Sequence, residues 1–241
     1  MGRDLRVVLV AAVLLAIGLF GVAAGAQGQA PPTNRGATQG RADPKMVERG
    51  AYLARIAGCG DCHTPMKMDP ALGVLAPDMS RAFSGHPQGG AKPGGKLGEK
   101  DVGLIGPTFT SFQLPFGTVY AANLTPHETG IGNWTEQQFV QAMRTGMHLG
   151  DPKARPILPP MPWQNLMGAT DQDLKAIFAY FKSLPPIANA VPQPEVQPAV
   201  YEQLTRAYAK MREQAPTGMD ANMKKRAMEP QQKKQGPPKP R

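Results

Sequence analysis

The run Cys59-Gly60-Asp61-Cys62-His63 contains both cysteines of the chain and sets a histidine directly behind the second. Thiols at i and i+3 lie about one helical turn apart on a single face, so both can bond to substituents of one flat ligand. The adjoining imidazole can turn toward the centre of that ligand. This spacing is that of covalent c-type haem attachment, with thioethers from Cys59 and Cys62 to the two vinyl groups and His63 as a ligand to the iron. Zinc normally takes four ligands in two spaced pairs, and only these three cluster. A thiol-redox site needs a strand-turn-helix setting, which the surrounding pattern does not supply. A disulfide across so short a loop would remove little chain entropy. The cofactor predicted is therefore one covalent haem c with its iron.

The iron needs a further ligand. Most of the 13 methionines read as core filler or surface residues. Met161 stands apart in Pro156-Ile157-Leu158-Pro159-Pro160-Met161-Pro162-Trp163, where four prolines fix φ and hold the thioether in place. A weak ligand of this kind needs that rigidity if it is to survive a change of oxidation state. Met143 and Met147 fall on a helical stripe and read as packing residues. His86, His127 and His148 are lone histidines in polar or loop contexts and read as solvated. His148 stays open as an alternative distal ligand, being only a short loop before Met161. A Met/His pair would push the haem potential upward.

These residues have to be carried by helices. Asp43 can cap a first helix with Pro44 at its first position, and Val47, Gly50, Ala51 and Ala54 then form a face of small residues that another helix can approach closely. The stretch from Thr64 to Gly117 is dense in Gly and Pro and reads as a long surface insertion with room for one short hairpin. Thr135-Glu136-Gln137-Gln138 is a capping box opening a helix with Phe139, Ala142, Met143 and Gly146 on one face. Thr170 caps another, with Leu174, Ile177, Phe178 and Phe181 repeating until Pro185-Pro186 ends it. A last amphipathic helix is predicted over 197–211, with Val200, Leu204, Tyr208 and Met211 on one side. Asn123-Leu124-Thr125 and Asn133-Trp134-Thr135 match glycosylation acceptors but read as turn and cap.

The rest of the chain places the protein. An apolar run from Val7 to Ala24 follows Arg3 and Arg6 and precedes Ala24-Gly25-Ala26, which is the layout of a secretory signal cleaved after Ala26. At about 18 residues the run is also nearly long enough to stay as a membrane anchor. Export to the periplasm is thus expected, either free or membrane-associated. Nucleic acid is disfavoured as a partner by that location. Residues 27–42 read as a flexible linker, 43–190 as the mono-haem domain with its insertion over 64–117, and 191–241 as a Pro-rich segment, an amphipathic helix and a disordered basic tail. The formal net charge is +9, and two-thirds of that excess lies beyond residue 209, where nine Lys and Arg outnumber three acidic residues. Such a tail can steer the chain to an anionic membrane surface or an acidic partner.

Several stretches resemble class I c-type cytochrome domains over roughly 48–190. They are Glu48-Arg49-Gly50-Ala51-Tyr52-Leu53, Pro115 through Pro126, Glu128-Thr129-Gly130-Ile131-Gly132-Asn133-Trp134-Thr135, the Met161 loop, and Ala176 through Pro186. The likeness is strongest to the cytochrome subunits of bacterial membrane-bound alcohol, aldehyde and gluconate dehydrogenases. The resemblance implies an all-α class I cytochrome c fold, Met161 as distal ligand, and Tyr180 packing across Gly50. Those subunits usually carry three haem domains, whereas C-x-x-C-H occurs here once, so their partnership is not inherited automatically.

The function expected is that of a mono-haem electron carrier rather than an enzyme. It would pass single electrons between periplasmic or membrane-bound redox proteins of the respiratory chain, with a membrane-bound dehydrogenase or a terminal oxidase among the partners. A haem-based gas sensor or enzyme with an exchangeable sixth position is the competing reading, and occupancy by Met161 discriminates the two.

Overall fold

The structure, a computed structural model, describes residues 42–214. The predicted leader over 1–26, the linker up to 41 and the basic tail from 215 lie outside the described residues.

Helix α1 (Pro44–Ile56) begins as its sequence dictates, with the Asp43 carboxylate accepting from the Lys45 amide at 3.0 Å and Pro44 in the first turn. A left-handed Gly58 then turns the chain into the short α2 (Cys59–His63). Helix α3 (Glu136–Thr145) opens on the full Thr135/Gln138 capping box, and α5 (Asp171–Ser183) on Thr170. The short α4 (Trp163–Met167) lies between them, and α6 (Pro198–Gln214) follows. Ala54, Ile131, Phe139, Val140, Ala142, Met143, Leu174, Ile177, Phe178 and Phe181 make up one buried cluster. The apolar stripes read from the periodicity of α1, α3 and α5 meet there.

Gly50 explains how α1 and α5 come together. A Cβ at this position would lie 1.9 Å from the Ala176 carbonyl oxygen, so the two backbones touch where the sequence offers a face of small residues. Tyr180 is beside it, its own Cβ only 2.8 Å from the same point. The Tyr180 ring itself packs on Phe83 and Phe181, with centroids 5.7 Å from each.

The expectation of an all-α fold is corrected by two small antiparallel sheets. Strands β1 (Met66–Asp69) and β2 (Val74–Pro77) form a hairpin, with Met68 opposite Leu75. Strands β3 (Leu104–Ile105), β4 (Ser111–Leu114), β5 (Gly117–Tyr120) and β6 (Glu195–Val196) form a four-stranded sheet in that order. Most of the strands lie within the predicted insertion. They are two to four residues long, too short for alternation to stand out among the glycines and prolines.

The insertion is also bolted down rather than loosely draped. His86, expected to be solvated, is fully buried, its Nδ1 2.9 Å from Thr110 Oγ1 and its Nε2 3.3 Å from the Gly90 carbonyl. Asn189 is buried too, and donates to the carbonyls of Ser84 (2.6 Å) and His86 (2.9 Å) while accepting from the Gln88 amide (2.8 Å) and Arg81 (3.1 Å). Polar groups at this depth are stable only when so partnered. Among the described residues no helix is long and apolar enough to cross a membrane.

Candidate functional site

The sequence of α2 brings Cys59, Cys62 and His63 onto little more than one helical turn. Both thiols are free and partly buried, and Cys59 packs against the apolar cluster. Burial pushes the Cys59 thiol up to about 11, and burial followed by the Asp61 charge raises that of Cys62. Neither thiol is poised as a thiolate. This is the opposite of the electropositive setting that a thiol-redox centre needs.

His63 is buried, with Nδ1 2.7 Å from the carbonyl oxygen of Ala122. A carbonyl can only accept, so Nδ1 carries the hydrogen and Nε2 presents a lone pair. Burial pulls the imidazole pKa below its ordinary value, with the Ala122 bond acting in the other direction. The ring is therefore neutral at physiological pH, with its tautomer and orientation fixed by a backbone partner. That is the state a metal-ligating histidine requires.

The backbone on either side of Ala122 is held from several directions. The Ala121 amide donates to the Thr110 carbonyl (2.8 Å), the His86 amide to the Ala121 carbonyl (2.9 Å) and the Leu124 amide to the Phe83 carbonyl (2.9 Å). Asn123 closes a turn by accepting from the amide (2.9 Å) and hydroxyl (2.7 Å) of Thr125. At 3% exposure Asn123 serves the fold and not a glycan. Gly85 completes the frame by donating to the carbonyl of His63 at 2.8 Å.

Met161 is half-buried and packs against the same apolar cluster as Cys59. Its backbone is tied on both sides, donating to the Leu158 carbonyl (3.2 Å) and accepting from the Trp163 amide (3.0 Å). Met143 and Met147 are buried, Met143 within the cluster itself. The other histidines are engaged elsewhere. His127 bonds through Nδ1 to Thr129, His86 lies in the insertion, and the half-buried His148 stands edge-on to Trp134 with ring centroids 5.1 Å apart.

These residues fit a covalently attached haem. Two neutral thiols on one turn, a buried neutral imidazole oriented by a carbonyl, and a thioether on the same apolar cluster make up a donor set suited to such a group. Among the described residues no group of three or more His, Cys, Asp and Glu could hold a bare metal ion. Sequence reasoning missed the Ala122 carbonyl and Asn189. A backbone acceptor has no residue-type signature, and a buried Asn in a Pro-rich segment looks like a loop residue.

No family model matches the chain. It is 29% identical over 157 residues to an alcohol dehydrogenase (quinone), cytochrome c subunit, of Gluconobacter oxydans (strain 621H), which is 64% of this chain and 25% of that protein. It is 29% identical over 153 residues to a gluconate 2-dehydrogenase cytochrome c subunit of Pantoea cypripedii, 62% of this chain and 26% of that one. It is 30% identical over 175 residues to a fructose dehydrogenase cytochrome subunit of Gluconobacter japonicus, 72% of this chain and 28% of the relative. The chain thus spans about a quarter of the length of these relatives. Over roughly two thirds of its own length it carries a c-type cytochrome domain, similar to those of the cytochrome c subunits of bacterial alcohol, gluconate and fructose dehydrogenases.

Proposed function

We propose that this chain is a mono-haem electron carrier, with residues 43–190 as its haem domain. Cys59 and Cys62 would hold haem c through thioethers, and His63 and Met161 would be its axial ligands. The observation that carries the reading is the neutral, buried imidazole of His63, turned by the Ala122 carbonyl and preceded by two neutral thiols. The haem, when bound, supplies a one-electron iron couple. The protein's part is to hold the ligands still in both oxidation states and to keep water from them. His63 is fixed through Nδ1, and Met161 through a proline-rich loop tied to its own backbone.

The names of the relatives, cytochrome subunits of dehydrogenases, support a dehydrogenase as redox partner, and a terminal oxidase is the other partner class that the reading takes in. The apolar run and its flanks support a periplasmic location, at or near the membrane. The basic tail supports attraction to an anionic surface.

The test is the spectrum of the ferric holoprotein, which should show the weak long-wavelength sulfur-to-iron charge-transfer band and lose it in Met161→Ala. A wild type without the band, whose ferrous form binds carbon monoxide readily, would transfer the assignment to the sensor or enzyme reading. Survival of the band in Met161→Ala would place the ligand on another methionine.

A further inference from the structure

Helix α6 lies beyond the haem domain proposed over 43–190, and nothing in the electron-carrier reading employs it. Its one deeply buried large side chain is Tyr208, 4% exposed. The Tyr208 hydroxyl donates to the Ile157 carbonyl at 2.7 Å, and its ring rests on that of Trp163 with centroids 4.8 Å apart. Ile157 and Trp163 bracket Met161 in sequence. Both are also anchored to the end of α3. The Ile157 amide donates to the Gly146 carbonyl at 2.7 Å, and the fully buried Trp163 lies so close to Gly146 that a Cβ there would meet its ring at 2.3 Å. Gly146 is left-handed, with φ of 70°, so the position excludes side chains on both counts. From the same helix, Arg212 Nη1 donates to the Thr145 carbonyl at 2.6 Å.

We propose that α6 is a bracket for the Met161 loop, with Tyr208 the positioning residue that keeps the thioether from leaving its place. The proposal rests on the reading of Met161 as distal ligand. The physical reason lies in how the loop can move. The thioether can swing about its own side-chain bonds, but a withdrawal that opens its place fully needs the stretch from Ile157 to Trp163 to shift, and the proline-rich backbone offers few internal rotations for doing so locally. Motion must therefore come from the ends. At the first end Ile157 is held through both its amide and its carbonyl, and at the second Trp163 is clamped between Gly146 and Tyr208. Removing the hydroxyl of Tyr208 frees one of the two Ile157 bonds while the ring still packs on Trp163. The site itself keeps every residue assigned to it.

The experiment titrates the ferric holoprotein with imidazole and follows loss of the sulfur-to-iron band. Tyr208→Phe should retain the band without imidazole, but lose it at a concentration about fivefold lower than wild type, the equilibrium weight of one typical net hydrogen bond. Arg212→Ala should shift it in the same direction. Asp43→Ala, which removes the cap of α1 and lowers stability elsewhere, should leave the midpoint unchanged. An unchanged midpoint in both α6 variants, or an equal shift in Asp43→Ala, overturns the bracket and leaves Met161 in its role. Absence of the band from wild type overturns the Met161 reading, and the bracket with it.

Discussion

Replacing Gly50 by alanine sets two physical effects of opposite sign against each other. Alanine is favoured over glycine within a helix by about 1 kcal/mol, so propensity alone makes Gly50→Ala stabilising. Packing opposes it. The new Cβ would lie 1.9 Å from the oxygen and 2.5 Å from the carbon of the Ala176 carbonyl, and 2.8 Å from Tyr180 Cβ. Two of these atoms belong to the backbone of α5, so no change of rotamer relieves the clash. The helices would have to part by more than about 1 Å to restore contact distances. Overpacking costs about 1–3 kcal/mol where side chains can yield, and a backbone contact belongs at the upper end or above. The net expectation is a loss of about 2 kcal/mol or more after the propensity gain is subtracted. Urea unfolding of the holoprotein should show a lower midpoint at unchanged slope. Because α1 leads directly into α2, the displaced helix should also broaden the sulfur-to-iron band. A rise in the urea midpoint would refute the packing argument, since it would mean that propensity outweighs the contact between α1 and α5.

Two further outcomes follow from the buried polar residues of the insertion. His86 is fully buried and its pKa is lowered by burial, so the unfolded chain takes up a proton that the folded one refuses. Stability should be complete above the unfolded value near 6.5 and be lost as pH falls through the lowered folded value, with a slope of at most about 1.4 kcal/mol per pH unit. His86→Gln should abolish that share of the slope, and an unchanged slope in this variant would point to another group. Asn189→Ala should leave the buried carbonyls of Ser84 and His86 without their donor, costing about 1–3 kcal/mol. Limited proteolysis near Gly89 to Gly95 should accelerate in that variant while cleavage within α5 does not, and equal acceleration at both places would mean global unfolding instead.

The helices were legible because their signals are local. Asp43, Thr135 with Gln138, and Thr170 each cap the helix assigned to them, and the apolar faces of α1, α3 and α5 end in one cluster. That Cys59, Cys62 and His63 share one short helical turn was legible for the same reason, as their spacing is itself the geometry. The insertion was not. Its strands are held by pairing with distant segments, as where Gly117 and Thr118 meet Val196 and Glu195, and such pairing leaves no local period. His86 is read as solvated from the polar residues around it in sequence, whereas Thr110 and Tyr120, which enclose it, are far along the chain. The Ala122 carbonyl that fixes His63 is invisible to any reading of residue types.

The buried Asn189 joins segments 105 positions apart, with its amide on the Ser84 carbonyl, and the consequence is one of timing. A segment threading toward its final place from the N-terminus carries Cys59 and Cys62 well before it carries Asn189 or strand β6. Contacts of such long sequence separation form late, because the loop between them must close first. Until then the Ser84 and His86 carbonyls lack the Asn189 amide, and the segment around Gly85, which donates to the His63 carbonyl, is held less firmly. On the proposed reading of Cys59 and Cys62 as attachment residues, covalent loading would fall most readily in that interval, before residue 189 arrives.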